Sequence, residues 1–179
     1  MEREDLPRYR DLFSDPEGNL SHGGLGIPDS LSKLQRRYEA GEFDITDRNL
    51  HLVIEAEDRI IGQVNLKNDE TLPSRAANFG ILIGAGYIGR GYGTEASKIL
   101  LDYAFGVLGY HKINLDLFEY NARARKMYEK IGFVHEGRRR ENHWSRGRFW
   151  DDILMGITAE EWRAKHGPPP QPETGQGGR

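Results

Sequence analysis

No cysteine occurs in the 179 residues, which excludes disulfides, thiolate metal sites and a cysteine nucleophile. No apolar run approaches the roughly 20 residues needed to cross a bilayer, and the acidic, polar start does not read as a secretory leader. An excess of basic charge is also lacking. The 25 Lys and Arg are outnumbered by 28 Asp and Glu, for a formal net charge of −3, so the footprint of a nucleic-acid binder is missing. The longest basic run, Arg138-Arg139-Arg140, reads as a solvated stretch near a strand end. No Gly-Lys pair exists, so a P-loop closed by Gly-Lys-Ser/Thr is excluded. The six histidines (His22, His51, His111, His135, His143, His166) show no H-x-x-x-H spacing. Asp151 and Asp152 are adjacent on an expected strand and so point to opposite faces, and no metal site is expected. A single soluble cytoplasmic domain is the expectation that remains.

Glycine, by contrast, is abundant, with 22 residues, and it concentrates where it carries information. Tyr87-Ile88-Gly89-Arg90-Gly91-Tyr92-Gly93-Thr94-Glu95-Ala96 follows the β-rich run Phe79-Gly80-Ile81-Leu82-Ile83. After it, Ala96, Ile99, Leu100, Tyr103, Ala104 and Val107 recur at three-and-four spacing, the predicted buried face of a helix. A strand, a glycine loop and a helix start make an anion cradle. The loop backbone is free to turn, and the first turn of the helix offers unpaired N–H donors and the positive end of its dipole. A phosphorylated cofactor is the expected ligand. Gly91, Gly93 and Ala96 also fit the dinucleotide fingerprint G-x-G-x-x-A, with Asp116 lying 20 residues past Ala96. Asp116, however, falls inside the apolar run Ile113, Leu115, Leu117 rather than at a strand end, and no further βαβ units follow.

The remaining elements are predicted from pattern. Asp5 caps a first helix whose inner face carries Leu6, Tyr9 and Leu12 or Phe13. Residues 18–28 form a glycine-rich loop, Asp29-Ser30 opens a second helix through Tyr38, and Gly41 marks its end. Strands at 50–56 and 59–67 make a hairpin across Glu57-Asp58. A polar loop at 68–75 precedes a strand at 77–83, and the long helix ends near Leu108-Gly109. A strand at 112–118, a helix at 122–131, strands at 133–140 and 148–157, and a short helix from Glu160 complete the domain, which spans residues 1–166. His143-Trp144-Ser145-Arg146-Gly147 reads as the turn between the last two strands, with Trp144 lining an acceptor cleft or anchoring a homodimer. Residues 167–179 lack core-forming side chains and are predicted disordered.

A second motif, Asn121-Ala122-Arg123-Ala124-Arg125-Lys126-Met127-Tyr128-Glu129-Lys130-Ile131-Gly132-Phe133, follows the loop in order. Together the two resemble the GNAT superfamily of acyl-CoA-dependent N-acetyltransferases. The nearest resemblance is to the branch with the ribosomal-protein N-terminal and spermidine acetyltransferases. Glu2-Arg3-Glu4-Asp5-Leu6 and Gly147-Arg148-Phe149-Trp150-Asp151-Asp152 extend it. It implies a mixed α/β (α+β) fold in which a central sheet is split by the cofactor, with helices on both faces. In that family Glu-Arg-Glu-Asp-Leu follows a first strand. Here Met1 stands at its end, so that strand is expected to be missing or truncated.

The resemblance also implies the chemistry: acetyl-CoA as co-substrate, and direct attack by an amine without a covalent enzyme intermediate. The acceptor is a small-molecule amine, a polyamine or a peptide N-terminus. Pantetheine pairs with the backbone of Ile81, Leu82 and Ile83, an N–H near Ile83 polarises the thioester, and the pyrophosphate rests on Ile88, Gly89, Arg90, Gly91, Tyr92, Gly93 and Thr94. Tyr128 matches the general acid, since a phenol near pKa 10 is protonated at neutral pH and can serve a thiolate of pKa about 8.5. Asn121 is a helix N-cap, a pantetheine contact, or both. Many relatives place a glutamate base where this chain has Asn78, leaving Glu119 and His51 as substitutes. Asn78 and the absent strand keep a second reading open, a CoA-binding regulatory or assembly domain with a decayed centre. Glu42, Asp44 and Asp47 form an acidic loop that attracts a cationic acceptor or is merely solvated.

Overall fold

Glu57 and Asp58 both adopt positive φ, 53° and 57°, the two-residue turn whose twist matches that of the strands it joins. In this computed structural model, which describes residues 2–12, 14, 30–46, 49–68 and 75–168, the turn connects β1 (Asn49–Ala56) to β2 (Arg59–Asn68). Phe13, the glycine-rich stretch 18–28, Asp29, Asp47, most of the polar loop and the tail beyond 168 lie outside the described residues. Strand β3 (Ala76–Ile83) pairs antiparallel with β2, from Gly62 opposite Ile83 to Asn68 opposite Ala77. Next comes β4 (Lys112–Phe118), parallel to β3, and then the long antiparallel pair β5 (Val134–Ser145) and β6 (Arg148–Thr158). The six strands are ordered β1-β2-β3-β4-β6-β5.

Alternation along the strands sorts the helices onto two faces. On β1, Leu50 and Leu52 pack toward the main core while His51 between them meets Phe43, as period-two geometry requires. The His51 face is covered by α1 (Leu6–Leu12) and α2 (Leu31–Glu39), whose Leu6, Tyr9 and Leu34 bury together with Phe43. Ser30 starts α2 by accepting the Lys33 N–H at 3.2 Å. The opposite face carries α3 (Tyr92–Gly106), α4 (Ala122–Ile131) and α5 (Ala159–His166). Their Leu101, Ala104, Ile131 and Trp162 interlock with Ile113, Leu115, Met155 and Ile157 of the sheet. Thr158 and Glu161 cap α5 reciprocally. Trp162 is 1% exposed and ties α5 to α3 by donating its indole N–H to Asp102 Oδ1 at 2.8 Å. No described helix is long and apolar enough to cross a membrane.

Three sequence expectations are corrected here. Asp5, directly before α1, does not cap that helix; it closes a 3-10 turn (Arg3–Asp5), and its side chain accepts the Glu2 N–H at 2.7 Å. The buried stripe of α3 is Ser97, Leu100, Leu101, Ala104 and Phe105, whereas Ile99, Tyr103 and Val107 are exposed at 65%, 42% and 50%. Two apolar stripes overlap on this helix, and periodicity alone does not say which one meets the sheet. Finally, β5 does not stop near Arg140. A register shift between Arg139 and His143, with Glu141 at φ 50°, takes up the extra residues, and the strand resumes through Ser145. The turn is Arg146-Gly147 alone, at φ 53° and 78°.

Candidate active site

The parallel ladder between β3 and β4 has three rungs: Ala76 with Lys112, Ala77 with Ile113, and Asn78 with Asn114. Past Asn78 the two strands part, and among the described residues no strand pairs with 79–83 on that side. Gly84 donates its N–H to Ile61 of β2 at 2.9 Å, so strand alternation turns the N–H and C=O of Phe79, Ile81 and Ile83 toward the gap. The backbone of Leu82 faces β2, where its carbonyl lies 2.4 Å from the position a Gly62 Cβ would take. The expectation that Leu82 offers backbone to a ligand is therefore corrected; it lines the gap without doing so. A cavity of about 570 Å³ fills the split. Its walls include an unpaired row of strand donors and acceptors, which another extended chain of amides can satisfy.

The glycine loop lines the same cavity. Gly89 and Gly91 hold φ of 81° and 94°, a region that disfavours side chains, and a Cβ on either would meet nothing within 4 Å. That open space sits before the first turn of α3, whose unpaired N–H groups and dipole favour an anion by about 0.3–1 kcal/mol. Ile88, Gly89, Gly91, Gly93 and Thr94 line the cavity, as do Ile81, Leu82 and Ile83. Arg90 and Tyr92 do not: Arg90 is exposed with its guanidinium 5.6 Å from the Tyr87 ring, and the Tyr92 ring lies 6.5 Å from that ring.

The α4 wall brings Tyr128 and Asn121 to the same cavity. Asn121 caps the helix, its Oδ1 accepting the Ala124 N–H at 3.2 Å. Tyr128 is 7% exposed and stands edge-on to Phe79 and Phe133, with ring centroids 6.2 and 5.6 Å away. Burial pushes its phenol well above the usual value near 10, so the hydroxyl keeps its proton throughout the physiological range.

Neither substitute base reaches the cavity wall. Glu119 is exposed just past β4 and lies outside the lining. His51 is 9% exposed, packed edge-on to Phe43 at 4.9 Å, with a buried Nδ1 that has no partner. Burial lowers its pKa, with a hydrogen bond to Gln63 opposing. Gln63 does line the cavity, and it accepts from the Tyr9 hydroxyl. Sequence reasoning missed Gln63, Asn65, Asp116, Arg123 and Lys130 as lining residues. The helical spacing of Arg123, Met127 and Lys130 was a signal for that wall. Asp116 was visible only as an acid between Leu115 and Leu117, although alternation places it on the opposite face from both.

The sequence model of the acetyltransferase (GNAT) domain matches residues 1–134. The chain belongs to the GNAT acetyltransferase family. This GNAT chain is 32% identical to the spermidine N(1)-acetyltransferase of Vibrio cholerae over 90% of its own length and 92% of that protein. It is 31% identical to the Escherichia coli K12 enzyme of the same name, over 96% and 90%. The crystal structure of the Vibrio cholerae spermidine N-acetyltransferase in complex with CoA and spermine superposes with a TM-score of 0.80, at 28% identity, covering 90% of this chain and 94% of that one. The GNAT chain is thus an N-acetyltransferase that uses acetyl-CoA.

Proposed function

We propose that this GNAT enzyme transfers acetyl to a primary amine of a small aliphatic polyamine of the spermidine type, by direct attack within a ternary complex. The observation that carries the proposal is the likeness, over nine-tenths of the chain, to an acetyltransferase structure holding both CoA and spermine. The split strands and the glycine loop supply the matching geometry. Ile81 and Ile83 present unpaired backbone groups that suit the two amides of pantetheine. The Ile83 N–H is the donor that polarises the thioester oxygen. Ile88, Gly89, Gly91, Gly93 and Thr94, at the start of α3, hold the pyrophosphate, while Arg123 and Lys130 of α4 add positive charge to the cavity. Asn121 fixes the start of α4, and Tyr128, kept protonated by burial, gives its proton to sulfur as the carbon–sulfur bond breaks.

An amine panel tests the acceptor. Spermidine, a monoamine of similar length and a peptide with a free N-terminus are each incubated with acetyl-CoA, and thiol release is followed with mass analysis of the product. Spermidine should show the highest kcat/KM, by at least about tenfold over the monoamine. A preference for the peptide, or no turnover of any amine, contradicts the proposal.

A further inference from the structure

Asp116 is the one carboxylate that lines the cavity among the described residues. Its place on β4 follows from the ladder. Two residues beyond the last rung at Asn78 and Asn114 stand Gly80 on β3 and Asp116 on β4, facing each other across the mouth of the split. Gly80 leaves its own side free, and that space is taken by the Asn65 carboxamide, whose Oδ1 lies 2.4 Å from where a Gly80 Cβ would be. A group entering between the strands here meets the Asp116 carboxylate and the Asn65 carboxamide, and among the described residues no other acid lines the cavity.

That carboxylate is engaged by Arg139 of β5, which donates from Nη1 to Asp116 Oδ2. Both side chains are about half exposed, 51% for Arg139 and 49% for Asp116, so the pair is weak and exchangeable. A second acceptor for Arg139 is close at hand. Asp152 sits opposite it in the β5–β6 register, and its charge acts on the guanidinium. Asp152 Oδ2 accepts from Asn142 at 2.6 Å, but its buried Oδ1 has no partner. A buried carboxylate oxygen left without a donor is uncommon and costly.

We propose that Asp116 receives the ammonium of the acceptor and takes its protons, and that Arg139 holds the empty site and yields to the incoming amine by moving to Asp152 Oδ1. This rests on the amine-acetylation reading above and supplies the base that Glu119 and His51 do not. The ammonium gives one proton to Asp116, which passes it to solvent from its exposed side. The freed nitrogen lone pair attacks the thioester carbon, and as the carbon–nitrogen bond forms the nitrogen sheds a second proton to Asp116, which passes this one to solvent as well. The carbon–sulfur bond breaks with its electron pair on sulfur, which takes the Tyr128 proton, and solvent restores Tyr128. Amide, thiol and one proton in solution are the balance.

Three variants of the full chain, D116N, D116E and R139Q, test the proposal with acetyl-CoA and spermidine, each checked for parental melting behaviour. D116N should lose about 10²-fold or more in kcat and raise KM for spermidine at least about tenfold, while acetyl-CoA affinity by calorimetry stays within about twofold of parent. D116E should recover part of the loss. R139Q should lower KM for spermidine at least about threefold, since the competitor for Asp116 is gone. D116N turning over within about twofold of parent would overturn the proposal. So would R139Q losing as much as D116N, because the two residues would then be a structural pair. If the parent turns over spermidine, those outcomes strike only Asp116. If the parent turns over no amine, the amine reading fails and this proposal with it.

Discussion

Asn78 and Asn114 form the last rung between the two parallel strands at the centre of the sheet. Everything the enzyme can do with an acyl-CoA depends on the ladder stopping there. Two more rungs would pair Phe79 with Leu115 and Gly80 with Asp116, and pairing carried on to the strand end would consume the backbone groups of Phe79, Ile81 and Ile83 that now face a cavity.

The glycine loop yields a binding prediction. Gly91→Val places a branched side chain in space that is now open, at a φ of 94° that such residues avoid. Acetyl-CoA affinity by calorimetry should fall at least about tenfold, with a melting temperature only a few degrees lower. Unchanged affinity would make this loop an ordinary turn.

His51 gives a pH dependence whose sign is fixed by burial. The ring is held neutral in the fold, with its pKa below the ordinary 6.5. Protons therefore bind more readily to the unfolded chain, and stability present above about pH 6.5 is lost as the pH falls below it. Melting midpoints measured from pH 7.5 to 5 should decline, and His51→Leu should flatten that decline. An equal slope in both proteins would assign the acid sensitivity elsewhere.

Trp162→Ala should be among the most damaging single changes outside the cavity. It removes a fully buried ring from the junction of α3, α5 and the sheet, and it strands Asp102 Oδ1. A loss of about 3–5 kcal/mol in urea unfolding is expected. A loss below about 1 kcal/mol would mean that α5 is peripheral to the core.

Much of this site was legible from the sequence because two local devices declare themselves. Gly89-Arg90-Gly91-Tyr92-Gly93 can only be a loop before a helix, and Asn121 with Tyr128 seven residues on marks a capped helix bearing an inward phenol. Both depend on contacts within a dozen residues. The hairpin at Glu57-Asp58 was legible for the same reason. What the sequence hid depends on partners distant in the chain. Asp116 acquires meaning only because the strand beside it diverges, and Arg139, 23 residues away, reaches it only across β6. Ile99, Tyr103 and Val107 carry as good a helical period as the buried stripe, and only the packing of α3 against the distant strands chooses between them. A strand ending at Arg140 and a turn from His143 to Gly147 are the local reading, until a bulge lets the strand run on to Ser145.

Tyr128→Phe tests the account most directly, because it removes only a hydroxyl from a ring already fixed by Phe79 and Phe133. Acetyl-CoA affinity and the fold should be preserved. Turnover of spermidine should fall by roughly 10²–10⁴, the usual contribution of a positioned general acid. The loss should appear in kcat rather than KM, since the proton is needed only as the carbon–sulfur bond breaks. With chemistry shown to limit the rate, a variant within about twofold of the parent would contradict the account: sulfur would then leave without Tyr128, and the split between the strands would bind the cofactor without this residue acting on it.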